Sequence, residues 1–211
     1  REHNLYYVEV GKPDTIQISK DGERNYSFGF RDTTQTQQQQ NDADDDDEDD
    51  DDARQQSRSR DPRVRANVTW SPDSRAFFVT RNDSRKVKEL YLVNVLANPR
   101  PTLSSYRYAM PGEEDVSQAE LFVFRRGDSA IAPVNVRKWK DQRLMNIHWT
   151  TGSDRLRLVR RARTQRDAEL IEVDLTTRKI RSLISESVEN AYLVLQPVRY
   201  TKASGDMFWF S

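Results

Sequence analysis

The sequence predicts an all-β chain made of repeated antiparallel sheets, and two stretches carry this prediction. In the first, Trp70–Arg81, a Ser-Pro-Asp-Ser turn leads directly into the apolar run Ala76–Val79. Proline presets the backbone for a turn, and the aromatic and β-branched run after it suits a strand but is too short for a helix. The second stretch, Trp149–Val159, repeats the tryptophan, the polar turn and the strand. Such repeats indicate a partial β-propeller made of four-stranded antiparallel blades, since each sheet buries its faces against its neighbours.

The blades are predicted to occupy residues 66–211, with the last blade truncated. Two further strands follow each tryptophan unit and are assigned to its blade: Leu90–Val95 and Thr102-Leu103 in the first, Leu170–Leu175 and Ile180–Ile184 in the second. A weaker copy combines Leu121–Phe124 with Ile131–Val136. We expect Trp70 and Trp149 to occupy equivalent places, each buried over its own turn, because a tryptophan ring supplies much of the apolar area of a core.

Residues 1–31 are predicted to be N-terminal propeller strands. Leu5–Val10 and Ile16–Ile18 form two short β segments joined by a polar turn, and Asp21-Gly22 is a dipeptide typical of hairpin turns. Three aromatic rings at alternate positions share one face of a strand: Tyr26, Phe28 and Phe30.

Residues 32–65 are predicted to be a disordered acidic and Gln-rich insertion. Every position in Asp42–Asp52 except Ala43 is acidic, so the segment cannot bury apolar surface and its charges repel. The alternative is a calcium loop. An EF-hand loop requires a glycine at its sixth position, and this run contains none.

The net charge of the chain is zero, but the residues outside the insertion carry a net positive charge, because the acidic residues are concentrated in the insertion. Six arginines lie close together: Arg155, Arg157, Arg160, Arg161, Arg163 and Arg166. They indicate either a polyanion-binding patch or a solvated blade edge that resists aggregation. We favour the edge, because no aromatic residues that could stack on bases are interleaved with the arginines.

No catalytic residue is predicted in this chain. It has no cysteine, no Gly-x-Ser-x-Gly turn, and only two histidines, His3 and His148, of which the second is interpreted as a structural residue. The spacing of zinc ligands is also missing, so no metal site and no cofactor are predicted. No apolar run reaches the length of a membrane span.

Several motifs, in this order, resemble the N-terminal β-propeller of the dipeptidyl peptidase IV-type serine peptidases. They are the Trp-Ser-Pro-Asp turn at Trp70, Tyr108–Glu113, Ala119–Phe124, His148–Thr150 and Met207–Ser211. The most specific is Tyr-Ala-Met-Pro-Gly within Tyr108–Glu113. The resemblance covers residues 66–211 and, more loosely, residues 5–30.

The resemblance implies partners that this chain lacks. In that family a C-terminal α/β-hydrolase domain carries a Ser-Asp-His triad, and the propeller restricts the access of peptide substrates. It also implies an extracytoplasmic location and a homodimer as in relatives, and it makes the chain a fragment without the catalytic domain. The family's pair of glutamates that binds the substrate ammonium has no counterpart in sequence order, since Glu113-Glu114 lies in the Met-Pro-Gly turn. The substrate-binding residues are therefore unknown.

Three functions remain open at this point. The chain is the non-catalytic propeller region of such a peptidase, a propeller-like scaffold that binds proteins, or a binder of polyanions through its arginines. We favour the first and do not expect nucleic acid to be a partner.

Overall fold

The computed structural model describes residues 1–28, 66–201 and 206–210, and every regular element within them is a β-strand. The strands in chain order are β1 (Tyr6–Val8), β2 (Thr15–Gln17), β3 (Thr69–Trp70), β4 (Ala76–Asp83), β5 (Glu89–Asn94), β6 (Thr102–Arg107), β7 (Gln118–Arg125), β8 (Ala132–Val134), β9 (Gln142–Trp149), β10 (Arg155–Ala162), β11 (Asp167–Asp174), β12 (Ile180–Ser187), β13 (Arg199–Tyr200) and β14 (Met207–Phe208). None of the described residues belongs to a helix long and apolar enough to span a bilayer.

The chain divides into two compact units. Unit 1 consists of Arg1–Asn67 and Asn82–Ser117, and unit 2 consists of Val68–Arg81 and Gln118–Ser211. Unit 2 holds two four-stranded sheets, in the orders β3-β4-β7-β8 and β9-β10-β11-β12. The neighbouring strands pair in antiparallel fashion in β3–β4, β7–β8, β9–β10, β10–β11 and β11–β12. The all-β class and the partial propeller of antiparallel blades are therefore confirmed.

The core of unit 2 lies between its two sheets. The buried residues that form it are Ala76, Phe78, Leu121, Val123, Val136, Trp149, Leu156, Leu158, Ile171 and Val173. Strand β10 shows why these residues point inward: Leu156 and Leu158 are two positions apart, so the pleat places both on one face. The face of each sheet that meets the other is thus removed from water, which is the main stabilising term for such packing.

The predicted composition of the first blade was wrong. Strands β5 and β6 contain Leu90–Asn94 and Thr102-Leu103 of the predicted blade, but they pair with each other as a separate hairpin, and β7 lies beside β4. Leu121–Phe124 of β7 is four consecutive residues that are all buried, as an inner strand covered on both faces requires. Strand β5 instead alternates between exposed and partly buried residues, so it suits a strand with one solvated face.

The two tryptophans occupy equivalent positions in their hairpins but differ in burial. Trp70 pairs with Phe77, and Trp149 pairs with Leu156, seven residues later in each case. Trp149 is 4% exposed and packs on Phe78, whereas Trp70 is 42% exposed and contacts Phe77 edge to face. The expectation that both are buried is wrong for Trp70.

Unit 1 contains the β1–β2 hairpin and the β5–β6 hairpin. The prediction that Asp21-Gly22 turns a hairpin was wrong, since the turn is at Arg24-Asn25, inside the isolated bridge between Glu23 and Tyr26. Gly22 is required for another reason: a Cβ atom there would lie 2.3 Å from the carbonyl oxygen of His3. Phe30 and the predicted insertion, residues 32–65, lie outside the described residues.

Candidate functional site

The arginine cluster lies on an inner strand and not on a blade edge. Strand β10 is bordered by β9 on one side and by β11 on the other. The solvated-edge interpretation is therefore wrong for the arginines of β10. Because side chains alternate across the sheet, Arg155 and Arg157 lie on one face and Arg160 lies on the other. The arginines of β10 therefore do not form one continuous polyanion-binding patch.

Each of these arginines lies opposite a carboxylate of β11. In the register of the pair, Arg155 faces Asp174, Arg157 faces Glu172 and Arg160 faces Glu169. The contacts are close: Arg157 Nε donates to Glu172 Oε2 at 3.0 Å, and Arg160 Nη2 lies 2.5 Å from Glu169 Oε2. Cross-strand pairs of opposite charge stabilise a sheet. These arginines are thus partnered within the blade, which leaves less charge for a polyanion.

The Arg160–Glu169 pair is buried. Burial alone would raise the pKa of Glu169, but hydrogen bonds from Ser182 and Arg160 outweigh it and hold this pKa below its ordinary value. Arg160 Nη1 also donates to the carbonyl oxygen of Val136 at 2.9 Å, so the guanidinium is held between the carboxylate and the backbone. A buried charge pair requires such additional hydrogen bonds, since desolvation opposes it.

His148 stacks on an aromatic ring and lies beside a cation. Its imidazole is 4.5 Å from the ring of Tyr200, and Arg157 is its register partner on β10. Burial lowers the pKa of His148, and the charge of Arg157 lowers it further. A neutral, stacked imidazole supports the structural interpretation of this residue.

Glu113 braces the turn in which it lies. Its Oε2 accepts a hydrogen bond from the backbone N–H of Met110 at 3.0 Å, and its Oε1 lies 3.2 Å from Lys88 Nζ. The carboxylate thus closes the Met-Pro-Gly turn in the manner of a capping side chain. Within the described ranges, no three His, Cys, Asp or Glu side chains gather as a metal site would require.

The β5–β6 hairpin exposes an apolar stripe, which sequence reasoning missed by assigning these strands to a blade. Val93 and Leu103 are register partners, and they are 61% and 67% exposed. Tyr91 is two positions before Val93, so it lies on the same face of the hairpin and is also exposed. The alternation of apolar and polar residues in Glu89–Asn94 was the available indication of a one-sided strand. Exposed apolar stripes of this kind mark interaction surfaces.

Repeated four-stranded antiparallel sheets packed face to face define the class of this protein as a propeller region. Residues 63–211 match the family model described as the dipeptidyl peptidase IV (DPP IV) N-terminal region. The chain belongs to this family, and the resemblance stated from its motifs is confirmed. No curated protein matches the chain.

Two solved structures share the fold. The crystal structure of Porphyromonas gingivalis dipeptidyl peptidase 4 matches with a TM-score of 0.68 and 17% identity, over 99% of this chain and 27% of its own length. A candidate dipeptidyl aminopeptidase IV from Bacteroides ovatus matches with a TM-score of 0.53 and 21% identity, over 65% of this chain and 19% of its own. This chain thus spans about a quarter or less of the length of these structures, and at such identities the likeness shows the fold alone.

Proposed function

We propose that this chain is the non-catalytic propeller region of a dipeptidyl peptidase IV-like serine peptidase, and that it gates or positions peptide substrates for an α/β-hydrolase domain. The observation that carries this proposal is the family match over residues 63–211. The partner is a domain of the same protein, and the substrates are peptides.

The chemistry of the described residues supports a division of labour. A serine peptidase needs a nucleophile, a base and a group that orients the base. His148 is stacked on Tyr200 beside Arg157, and burial and that cation lower its pKa, whereas an orienting carboxylate would raise it. A hydrolase domain would therefore have to supply the reaction chemistry.

The proposal is tested by comparing this chain with the product of its complete coding sequence. We expect the chain alone to leave a chromogenic Xaa-Pro substrate intact, because the sequence predicts no nucleophile with a positioned base. We expect the longer protein to cleave the substrate and to be blocked by a serine-directed inhibitor. Inhibitor-sensitive turnover by the purified chain alone, or a longer product with no hydrolase domain, would contradict the proposal and favour a protein-binding scaffold.

Gating requires a second measurement. A propeller that restricts access should make kcat/KM for a short Xaa-Pro substrate much larger than kcat/KM for a folded protein with the same N-terminus. Removing residues 1–211 from the longer protein should lower the ratio of these two kcat/KM values, provided that circular dichroism shows that the remaining domain folds. An unchanged ratio in a folded remainder would refute gating.

We also propose that the β5–β6 hairpin mediates self-association. The stripe of Tyr91, Val93 and Leu103 supports this, since an exposed apolar face is stabilised when it is covered by a second copy. Size-exclusion chromatography with light scattering should give a dimer whose fraction rises with concentration. Val93→Glu should shift it to monomer, while Val10→Glu, at a fully exposed valine outside the hairpin, should not. Equal behaviour of the two variants would exclude this surface.

Polyanion binding is the less supported alternative. Arg155, Arg157 and Arg160 face carboxylates of β11 at pairing distance, so binding phosphates would require breaking these ion pairs. Retention on DNA that weakens steeply with salt would revive the alternative.

A further inference from the structure

Unit 2 contains a cleft of about 440 Å³ between its two sheets. One wall is the β7–β8 hairpin, and the other is the end of β11 with the turn that follows it. Val123 and Val173 belong to the inter-sheet core, and Val134 and Leu175 pack against that core, so the cleft has an apolar lining at this level. A volume of this size lies within the range of sites for small molecules, which is roughly 300–1,000 Å³.

The cleft contains an unsatisfied cation. Arg125, the last residue of β7, lies in its wall, and the Nη2 atom of this arginine is buried without a hydrogen-bond partner. Among the described residues, no ion pair of Arg125 is found. Buried polar atoms are nearly always hydrogen-bonded in folded proteins, so a missing partner calls for an explanation.

The acidic residues of the lining do not fill this role. Asp174 is engaged by its own turn, because its Oδ1 accepts hydrogen bonds from the backbone N–H groups of Thr176 and Thr177 at 2.9 and 2.8 Å. Asp128 is exposed at the end of the hairpin. Arg178, in the turn after β11, also lines the cleft.

Asn135 adds a further donor to this wall. Its Oδ1 accepts a hydrogen bond from the N–H of Arg137 at 3.2 Å, so its amide NH₂ group remains as a donor toward a ligand. Two arginines and an asparagine therefore line this partly apolar cleft and offer hydrogen-bond donors. Arginine in particular matches the planar, two-oxygen geometry of a carboxylate.

We propose that this cleft binds a carboxylate attached to an apolar body, with the guanidinium of Arg125 as the anchor. The carboxylate pairs with the guanidinium nitrogens of Arg125 other than the buried Nη2, since Arg125 has no acidic partner among the described residues, and the apolar body covers Val134 and Leu175. Two sources share this chemistry: a small free acid such as an acylated aliphatic amino acid, and the C-terminal residue of a peptide.

The test uses methyl chemical shifts of Val123 and Val173 during titration with N-acetyl-leucine or its amide. We expect the acid to bind and the amide, which lacks the charge, to bind at least about tenfold more weakly, as the loss of a charge-assisted hydrogen bond implies. Arg125→Met should weaken binding of the acid to a similar extent. Arg143→Met, at an exposed arginine of β9 outside the cleft, should leave binding unchanged. Circular dichroism of each variant establishes that it folds.

A second variant covers the case in which Arg125→Met does not fold. Ala132→Phe fills the cleft from its exposed rim without altering the guanidinium, and it should abolish binding of the acid. A short peptide ending in leucine distinguishes the sources: tighter binding than N-acetyl-leucine identifies a chain terminus, and weaker binding identifies a small acid. Equal binding of acid and amide, no binding of either, or full binding by Ala132→Phe would overturn the proposal.

Discussion

Trp149→Ala should destabilise the protein far more than Trp70→Ala, although both residues begin equivalent hairpins. Trp149 is buried in the core of unit 2, its ring lies 5.8 Å from that of Phe78, and its Nε1 donates to the carbonyl oxygen of Thr69 at 3.0 Å. Truncating a buried tryptophan to alanine costs roughly 3–5 kcal/mol. The hydrogen bond to the Thr69 carbonyl is lost as well, so we expect a value near the upper end.

The cost of Trp70→Ala is smaller because its ring is half exposed. About half of the burial is lost on truncation, which scales the cost to roughly 1.5–2.5 kcal/mol, including the edge-to-face contact with Phe77 at a centroid distance of 5.1 Å. For a domain of this size, each kcal/mol lowers Tm by about 2–4 °C. We therefore expect Tm to fall by roughly 6–20 °C for Trp149→Ala and by roughly 3–10 °C for Trp70→Ala.

Thermal and urea unfolding followed by far-ultraviolet circular dichroism measure both differences. Trp149→Phe is the intermediate case, since it keeps a ring against Phe78 but removes the N–H group that binds the Thr69 carbonyl. Its loss of stability should lie between those of the two alanine variants. Equal losses for Trp70→Ala and Trp149→Ala, or a larger loss for Trp70→Ala, would refute the assignment of the core.

Three further predictions concern the buried ion pair and one glycine. Because the folded-state pKa of Glu169 lies below its ordinary value of 4.5, its ionised carboxylate stabilises the fold above that pH, and this stabilisation is lost as the pH falls through the lowered pKa. The advantage in Tm of the native protein over Glu169→Gln should thus shrink on acidification, and a constant difference would contradict the pKa direction. Arg160→Met should cost about 1.5–3 kcal/mol in urea unfolding at neutral pH, because it removes a charged hydrogen-bond partner of Glu169, while Lys138 Nζ remains 3.3 Å from Glu169 Oε1; a loss no larger than that of a surface variant would show that the pair is dispensable. Gly22→Ala should lower the free energy of unfolding in urea by about 1–3 kcal/mol, because the backbone of His3 cannot move cheaply, while the exposed Lys20→Ala should not; equal free energies of unfolding would refute the close approach.

Features that depend on neighbouring residues could be predicted from the sequence. The Trp-Ser-Pro-Asp turn and its strands follow from local turn chemistry: Ser71 Oγ lies 2.6 Å from Asp73 Oδ1, and Asp73 Oδ1 also accepts from the N–H of Arg75 at 3.1 Å. The second blade could be predicted for the same reason, because its four strands are consecutive in the chain. The family followed from motifs whose order is a property of the sequence alone.

Features that depend on distant partners were decided only by the tertiary structure. Strand β7 displaces the β5–β6 hairpin from the first blade because it offers Leu121–Phe124, four consecutive residues that can be buried, and this competition involves segments far apart in the chain. The ion pairing of the arginine cluster likewise depends on the register of β10 against β11, which places Arg160 opposite Glu169. The sequence alone determined which segments are strands, while the burial of Trp149 and the exposure of Trp70 depended on which sheet came to cover each ring.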